Sequence, residues 1–221
     1  WIGWPEAFIG WGSFYIYRLY KLKRIKMLIV FLMGVILVIS AIAMSPAKEV
    51  LDKRIGMAMS DIAQYNNGNP STSFGQRFVM YEIGVNQIKE TPWLGIGVSN
   101  FRSFLEEESQ KVFEHKYGIS GKLSFSQIHN QFLMYFVTGG ILAFTGLVLL
   151  FGFLLYYFFK KIKGSQSDDD KVLGIAGMIF TITSLMTFLP ESPLQFKAQF
   201  VFFFTIAFLL VVVNENSKER Q

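Results

Sequence analysis

The stretch "SFSQIHNQFLMYFVTGGILAFTGLVLLFGFLLYYFFKK" runs from Ser124 to Lys161. Between Gln131 and Phe159 it carries no Asp, Glu, Lys or Arg. A bilayer core about 30 Å thick is crossed by about 20 apolar residues in a helix. The run therefore reads as a membrane-crossing helix, longer than one crossing needs, so that it tilts or protrudes. Directly before it stand His129 and Asn130, and the whole chain has only 2 histidines. A titratable imidazole is thus set where water gives way to membrane.

The rest of the chain agrees with that fold class. It has 221 residues, 52% of them hydrophobic and 24 of them Phe, with a mean hydropathy of +0.37. Residues 27–45, "MLIVFLMGVILVISAIAMS", are uncharged and end at Pro46. Residues 1–17, 172–189 and 199–213 read as further spans, about five in all. The expected architecture is all-α: a polytopic transmembrane bundle with one large extracytoplasmic helical loop. The chain has no cysteine, which excludes disulfides, thiol catalysis and Cys-ligated metals.

The net charge of +5 is explained by position. Lysines and arginines cluster at 18–26 and at 160–171, in short segments between spans. Such clusters mark cytoplasmic loops. They orient the chain and leave no basic face for nucleic acid. Residues 1–45 then form two spans around a cytoplasmic turn, and 46–130 lie outside. Residues 131–213 form three spans with "PESP" (190–193) outside, and 214–221 form a cytoplasmic tail.

The external segment carries helical patterns over 49–65 and 74–90. A third helix starts at Ser99-Asn100 and runs to about Tyr117, with Phe101, Phe104, Leu105, Val112 and Phe113 as its apolar stripe. Arg77 lies on the second helix, with Tyr81 four residues on. Pro92, Gly95 and Gly97 follow, spaced for a tight turn with close backbone approach. Taken alone this short GxG is a plain helix-breaking turn, since it lacks the strand–loop–helix context of a dinucleotide site. An ordinary imidazole titrates at about 6.5 and serves as a base near neutral pH without a large shift. Asn130 is placed to orient His129 or to bond a sugar hydroxyl.

The pieces "GQRFVMY", "PWLGIGVSNF" and "HNQFLMYFVTGG", in this order and with this topology, resemble the O-antigen ligase and polymerase family of bacterial envelope glycosyltransferases. The resemblance covers about residues 1–159. It implies a metal-independent transferase, without cofactor, on the outer face of the bacterial cytoplasmic membrane. The donor it implies is a glycan on an undecaprenyl pyrophosphate carrier. The acceptor is a sugar hydroxyl, on a lipid core or on another carrier-linked glycan, as in lipopolysaccharide synthesis. The family's functional Arg and His fall on Arg77 and His129, and Asn130, Gly95, Gly97, Arg102 and Tyr81 are expected to bind substrate. A guanidinium suits the departing pyrophosphate through planar, bidentate hydrogen bonds, and an imidazole suits the attacking hydroxyl. Family members also often carry a Ser-Arg-Gly motif ahead of a helix like 1–17. The chain opens on Trp1, so it is expected to be cut from a longer one, to lack that second Arg, and to be inactive alone if nothing replaces it.

Other residues have plainer readings. Asp168, Asp169 and Asp170 invite a metal–nucleotide-sugar site, but their loop is cytoplasmic by the charge rule, so a solvated run is preferred. His115 and Arg54 read as surface residues, and for Arg102 a surface role competes with phosphate contact. Glu82 is a candidate ion-pair partner near Arg77 and a second-choice base. The rival class is a non-catalytic membrane component or transporter fragment of a polysaccharide export system. A transporter places ionisable residues at the midplane of its spans, and the spans at 27–45, 131–159, 172–189 and 199–213 hold none before their ends. The enzyme reading requires Arg77 and His129 to converge.

Overall fold

The computed structural model describes residues 47–165 and 168–216, with Ser45 and scattered helical positions between 29 and 40. The expected span at 1–17 and the basic turn at 18–26 lie outside the described residues, as does most of 27–45. Every regular element among the described residues is helical.

Helices α1 (Ala47–Asn66) and α2 (Ser73–Glu90) form a hairpin. Gly68, at φ 87, makes the turn, and Thr72 then caps α2 by accepting the Gly75 N–H at 3.0 Å. Tyr65 meets Phe74 and Phe78 across the joint, with ring centroids 6.1 and 5.3 Å apart. Helix α3 (Phe101–Val112) continues through a π turn at Phe113–Tyr117 and stops at left-handed Gly118. Asn100 does not cap it. Its side chain donates to the Ile96 carbonyl at 2.9 Å instead. The stripe expected on this helix is inward: Phe101, Leu105 and Phe113 are buried with Val79, Met80 and Ile83 of α2 and with Leu123 and Ile128.

Helix α4 (Gln131–Gly164) departs from the single long crossing that its composition suggests. Gly140 has φ 64 and ψ −163, and the helix breaks there. Nineteen positions along a straight helix span about 28 Å. Yet the rings of Phe132 and Phe151 are 6.0 Å apart, and Phe136 stacks on Phe144 at 4.9 Å. The first arm, Gln131 to Gly139, is therefore folded back against the second, Ile141 to Gly164.

A break leaves orphan carbonyls at one end and orphan amides at the other. The loop after α2 satisfies both. Ile96 and Gly97 donate to the carbonyls of Val137 and Thr138 at 3.0 and 2.9 Å, and the Ile141 N–H reaches the Pro92 carbonyl at 2.8 Å. The approach is close enough that a Cβ on Gly95 would lie 2.5 Å from the Val137 carbonyl oxygen, and one on Gly140 would strike the Trp93 carbonyl.

Helix α5 (Asp168–Phe188) packs antiparallel on the second arm, with Gly177 against the Phe158 ring. A 3₁₀ turn at Pro193–Gln195 leads to α6 (Lys197–Asn216). Leu147, Phe151, Leu154 and Phe158 of α4 form a second core with Phe188, Leu194, Phe203 and Ala207. Two helices, Gln131–Gly164 and Asp170–Phe188, are long and apolar enough to cross a membrane, and Lys197–Val212 is a shorter apolar helix.

Candidate functional site

The start of α4, the second turn of α2 and the turn between α5 and α6 meet at one carboxylate. Glu191 Oε1 lies 3.4 Å from Arg77 Nη2, and Glu191 Oε2 lies 3.0 Å from His129 Nδ1. Arg77 and His129 thus converge, through an acid of the proline-flanked turn at 190–193. Side-chain exposures are 40% for Arg77, 24% for Glu191 and 17% for His129. The imidazole is enclosed while the guanidinium still faces outward. A carboxylate oxygen accepts here, so Nδ1–H is the donor, and in the neutral imidazole of that tautomer Nε2 presents its lone pair.

The backbone around His129 is strained and tightly held. His129 is the only non-glycine described residue at positive φ, 55°. Such a conformation costs about 1–3 kcal/mol and persists where its surroundings over-determine it. Here the Tyr81 hydroxyl donates to the His129 carbonyl at 2.9 Å, and the next N–H, of Asn130, donates to Ser192 Oγ at 3.1 Å. Burial pushes the Tyr81 phenol above its ordinary pKa; the nearby Arg77 charge opposes this and Glu191 adds to it. The hydroxyl therefore stays a donor to high pH.

Asn130 caps α4 by accepting the Leu133 N–H at 2.9 Å. Gln131, fully buried, accepts the Leu194 N–H at 2.8 Å, while its Nε2 is buried without a partner. The 190–195 turn is thereby latched to the head of α4 at Ser192 and Leu194, directly after Glu191. The Phe125 ring closes on His129 edge-to-face at 5.9 Å.

Other expected residues lie elsewhere. Gly95 and Gly97 sit at the α4 break, and their amides are engaged, to the carbonyls of Thr91 at 3.2 Å and Thr138 at 2.9 Å. Arg102 belongs to a separate exposed cluster. Its Nη2 and Nε donate to Ser124 Oγ at 2.9 and 3.2 Å, and Nε also reaches Glu106 Oε1 at 3.3 Å. Lys122 joins Glu106 at 2.8 Å. Hydrogen bonds from Lys122, then Ser124, pull the Glu106 pKa down to about 2. Glu82 is paired with Lys116 at 2.6 Å, not with Arg77. The His115 Nδ1–H donates to the Lys111 carbonyl at 2.8 Å, exposed on the surface. Asp170 is buried and accepts from Ser165 Oγ at 3.2 Å.

The missed residues are Glu191, Ser192 and Gln131. One signal points to Glu191: the charge rule sets "PESP" on the same face as His129, and it holds an acid between two prolines. Nothing in the sequence pointed to Gln131, because an amide at a helix start looks like ordinary surface.

A carboxylate, an enclosed imidazole and an outward guanidinium thus meet at the head of a broken apolar helix, in an all-helical protein with two helices long and apolar enough to cross a membrane. Comparison with known proteins makes the assignment specific. The family described as O-antigen ligase matches residues 3–148, and the chain belongs to that family. An uncharacterised protein of Haemophilus influenzae is 31% identical over 214 residues, 96% of this chain and 51% of its own length. An O-antigen ligase of Escherichia coli K12 is 30% identical over 113 residues, 50% of this chain and 26% of its own length. The matches thus cover about half of the first relative's length and about a quarter of the second's. The match to the family holds Arg77 and His129, whereas Glu191 lies beyond its last residue.

Proposed function

We propose that the protein takes part in envelope polysaccharide synthesis as a glycosyltransferase, moving a glycan from an undecaprenyl pyrophosphate carrier to an acceptor sugar hydroxyl. The acceptor is on a lipid core in a ligase, or on a second carrier-linked glycan in a polymerase. The observation that carries the reading is the meeting of Arg77 and His129, distant in sequence, on the two oxygens of Glu191. In this reading the site faces the extracytoplasmic side of the cytoplasmic membrane, which the lysine and arginine clusters between the spans support.

In this reading His129 Nε2 takes the proton of the acceptor hydroxyl as its oxygen attacks the anomeric carbon. The bond from that carbon to the pyrophosphate oxygen breaks, and the electron pair leaves with the phosphate. Arg77 neutralises that charge with N–H groups not committed to Glu191, since only one contact, long at 3.4 Å, ties it there. Glu191 holds the imidazole in orientation and balances the imidazolium as it forms, the role of the third member in a nucleophile–base–carboxylate arrangement.

The test is transfer in membranes containing the protein, from a defined polyprenyl-pyrophosphate glycan to candidate acceptors. His129→Ala is expected to lose about 10²–10⁴-fold in rate with unchanged membrane insertion, the usual range for a positioned base. Arg77→Lys is expected to lose most activity, because an ammonium has no planar fork. Wild-type turnover in the His129 variant would overturn the assignment.

A further inference from the structure

The imidazole of His129 meets Glu191 while the residue holds a left-handed backbone, φ 55. For a residue with a β-carbon that region is small and costly. Relaxation to a negative φ swings the β-carbon, and the ring with it, off the carboxylate. The peptide between His129 and Asn130 therefore has to be held, and it is gripped on both edges. Its N–H, from Asn130, donates to Ser192 Oγ at 3.1 Å. Its carbonyl, from His129, accepts from the Tyr81 hydroxyl at 2.9 Å.

Tyr81 is placed for this by its own helix. It follows Arg77 by four residues, so the two share a face of α2, about 6 Å apart along the axis. Arg77 turns to Glu191, and Tyr81 turns to the His129 carbonyl. One helical turn thus carries both the cation of the site and the group that sets the imidazole. The Tyr81 ring is itself fixed, half-buried against the α2–α3 core and 6.2 Å from the Phe78 ring. A phenol has one O–H to donate, and this one is spent inside the protein. Burial raises the Tyr81 pKa, so the proton stays in place where an imidazole is neutral.

We propose that Tyr81 is a positioning residue rather than a substrate ligand: its hydroxyl holds the 129–130 peptide so that His129 stays left-handed with its ring on Glu191. The consequence for transfer rests on the proposed function; the hold on the ring does not.

The chain has 2 histidines, so in a His115→Gln background the His129 ring alone carries a nitrogen-15 label. The full chain in detergent, above the ordinary imidazole pKa of about 6.5, is expected to show one tautomer, with its Nδ1–H shielded from exchange by Glu191. Tyr81→Phe keeps the ring and removes only the hydroxyl. It is expected to lose that N–H to exchange with water and to mix the tautomers. Tyr65→Phe, which removes a hydroxyl beside Tyr117 in the same hairpin, is expected to leave the His129 ring as it was. An unchanged ring in Tyr81→Phe overturns the proposal. So does an equal loss in Tyr65→Phe, which would mark a general loosening. In the transfer assay Tyr81→Phe is expected to lower kcat by about 10²-fold, the range for a reacting group displaced by about 1 Å, with KM unchanged. A raised KM at unchanged kcat would make Tyr81 a substrate ligand and overturns the proposal as well. Ring signals that change as expected in a protein without transfer activity uphold the positioning and remove the proposed function alone.

Discussion

At the scale of single residues, the site turns on one carboxylate with two partners. Removing its charge but keeping its shape separates orientation from electrostatics. Glu191→Gln keeps an acceptor for the His129 Nδ1–H but offers the amide the opposite role when it flips, and it balances no imidazolium. Transfer is expected to fall by about 10²-fold or more in kcat, with substrate binding far less affected. A variant that changes KM alone would show that Glu191 only holds Arg77. Ser192 and Gln131 act on the same group at one remove, by pinning the turn that presents it.

At the scale of elements, the decisive feature is the break in α4. Gly140 takes a left-handed φ and faces the Trp93 carbonyl, so a side chain there meets strain and collision together. Gly140→Ala is expected to destabilise the protein by at least about 2 kcal/mol, the range for a non-glycine forced into such backbone. Gly146, on the same arm with nothing near its missing Cβ, is the control. Gly146→Ala is expected to be neutral or stabilising by up to about 1 kcal/mol. Thermal unfolding of both variants in the same detergent distinguishes them.

Helix α3 has a pH dependence of its own. Glu106, tied to Lys122, Ser124 and Arg102, has its pKa lowered from 4.5 to about 2. A depressed carboxylate contributes stability that is fully present above its ordinary pKa and is lost as pH falls through the folded value. The clamp between α3 and residues 122–124 is therefore expected to weaken between pH 4.5 and about 2. Unfolding midpoints at mildly acidic and strongly acidic pH should converge in Glu106→Gln, which removes this contribution. The change is small, because the cluster is exposed and screened.

At the scale of the whole molecule, the site exists only because three distant segments meet. Arg77 comes from the segment between the basic clusters, His129 from the head of α4, and Glu191 from the turn joining the last two helices. All three must face one side of the membrane. The absence of cysteine makes this directly measurable. A single Ser120→Cys is expected to react with an impermeant maleimide on intact cells, and Gly164→Cys only after the membrane is opened. The reverse pattern would place the site in the cytoplasm and remove it from a carrier-linked donor on the outer face.

By itself the sequence determined the helical class, through uncharged runs too long for other uses. It also set most helix limits: 74–90 was expected, and Ser73–Glu90 is found. The resemblance to a family, carried by the order of short motifs, set Arg77, Tyr81 and His129 in one group. These are local or one-dimensional properties, and hydrophobicity and charge report them directly. The tertiary structure alone decided three things. It folded α4 back at Gly140, because a run of apolar residues reads the same whether straight or broken. It turned Gly95 and Gly97 into caps for that break, because which carbonyls an amide meets depends on what packs beside it. And it brought Glu191 from a proline-flanked turn to the gap between Arg77 and His129, a contact between residues 62 positions apart that no local pattern encodes.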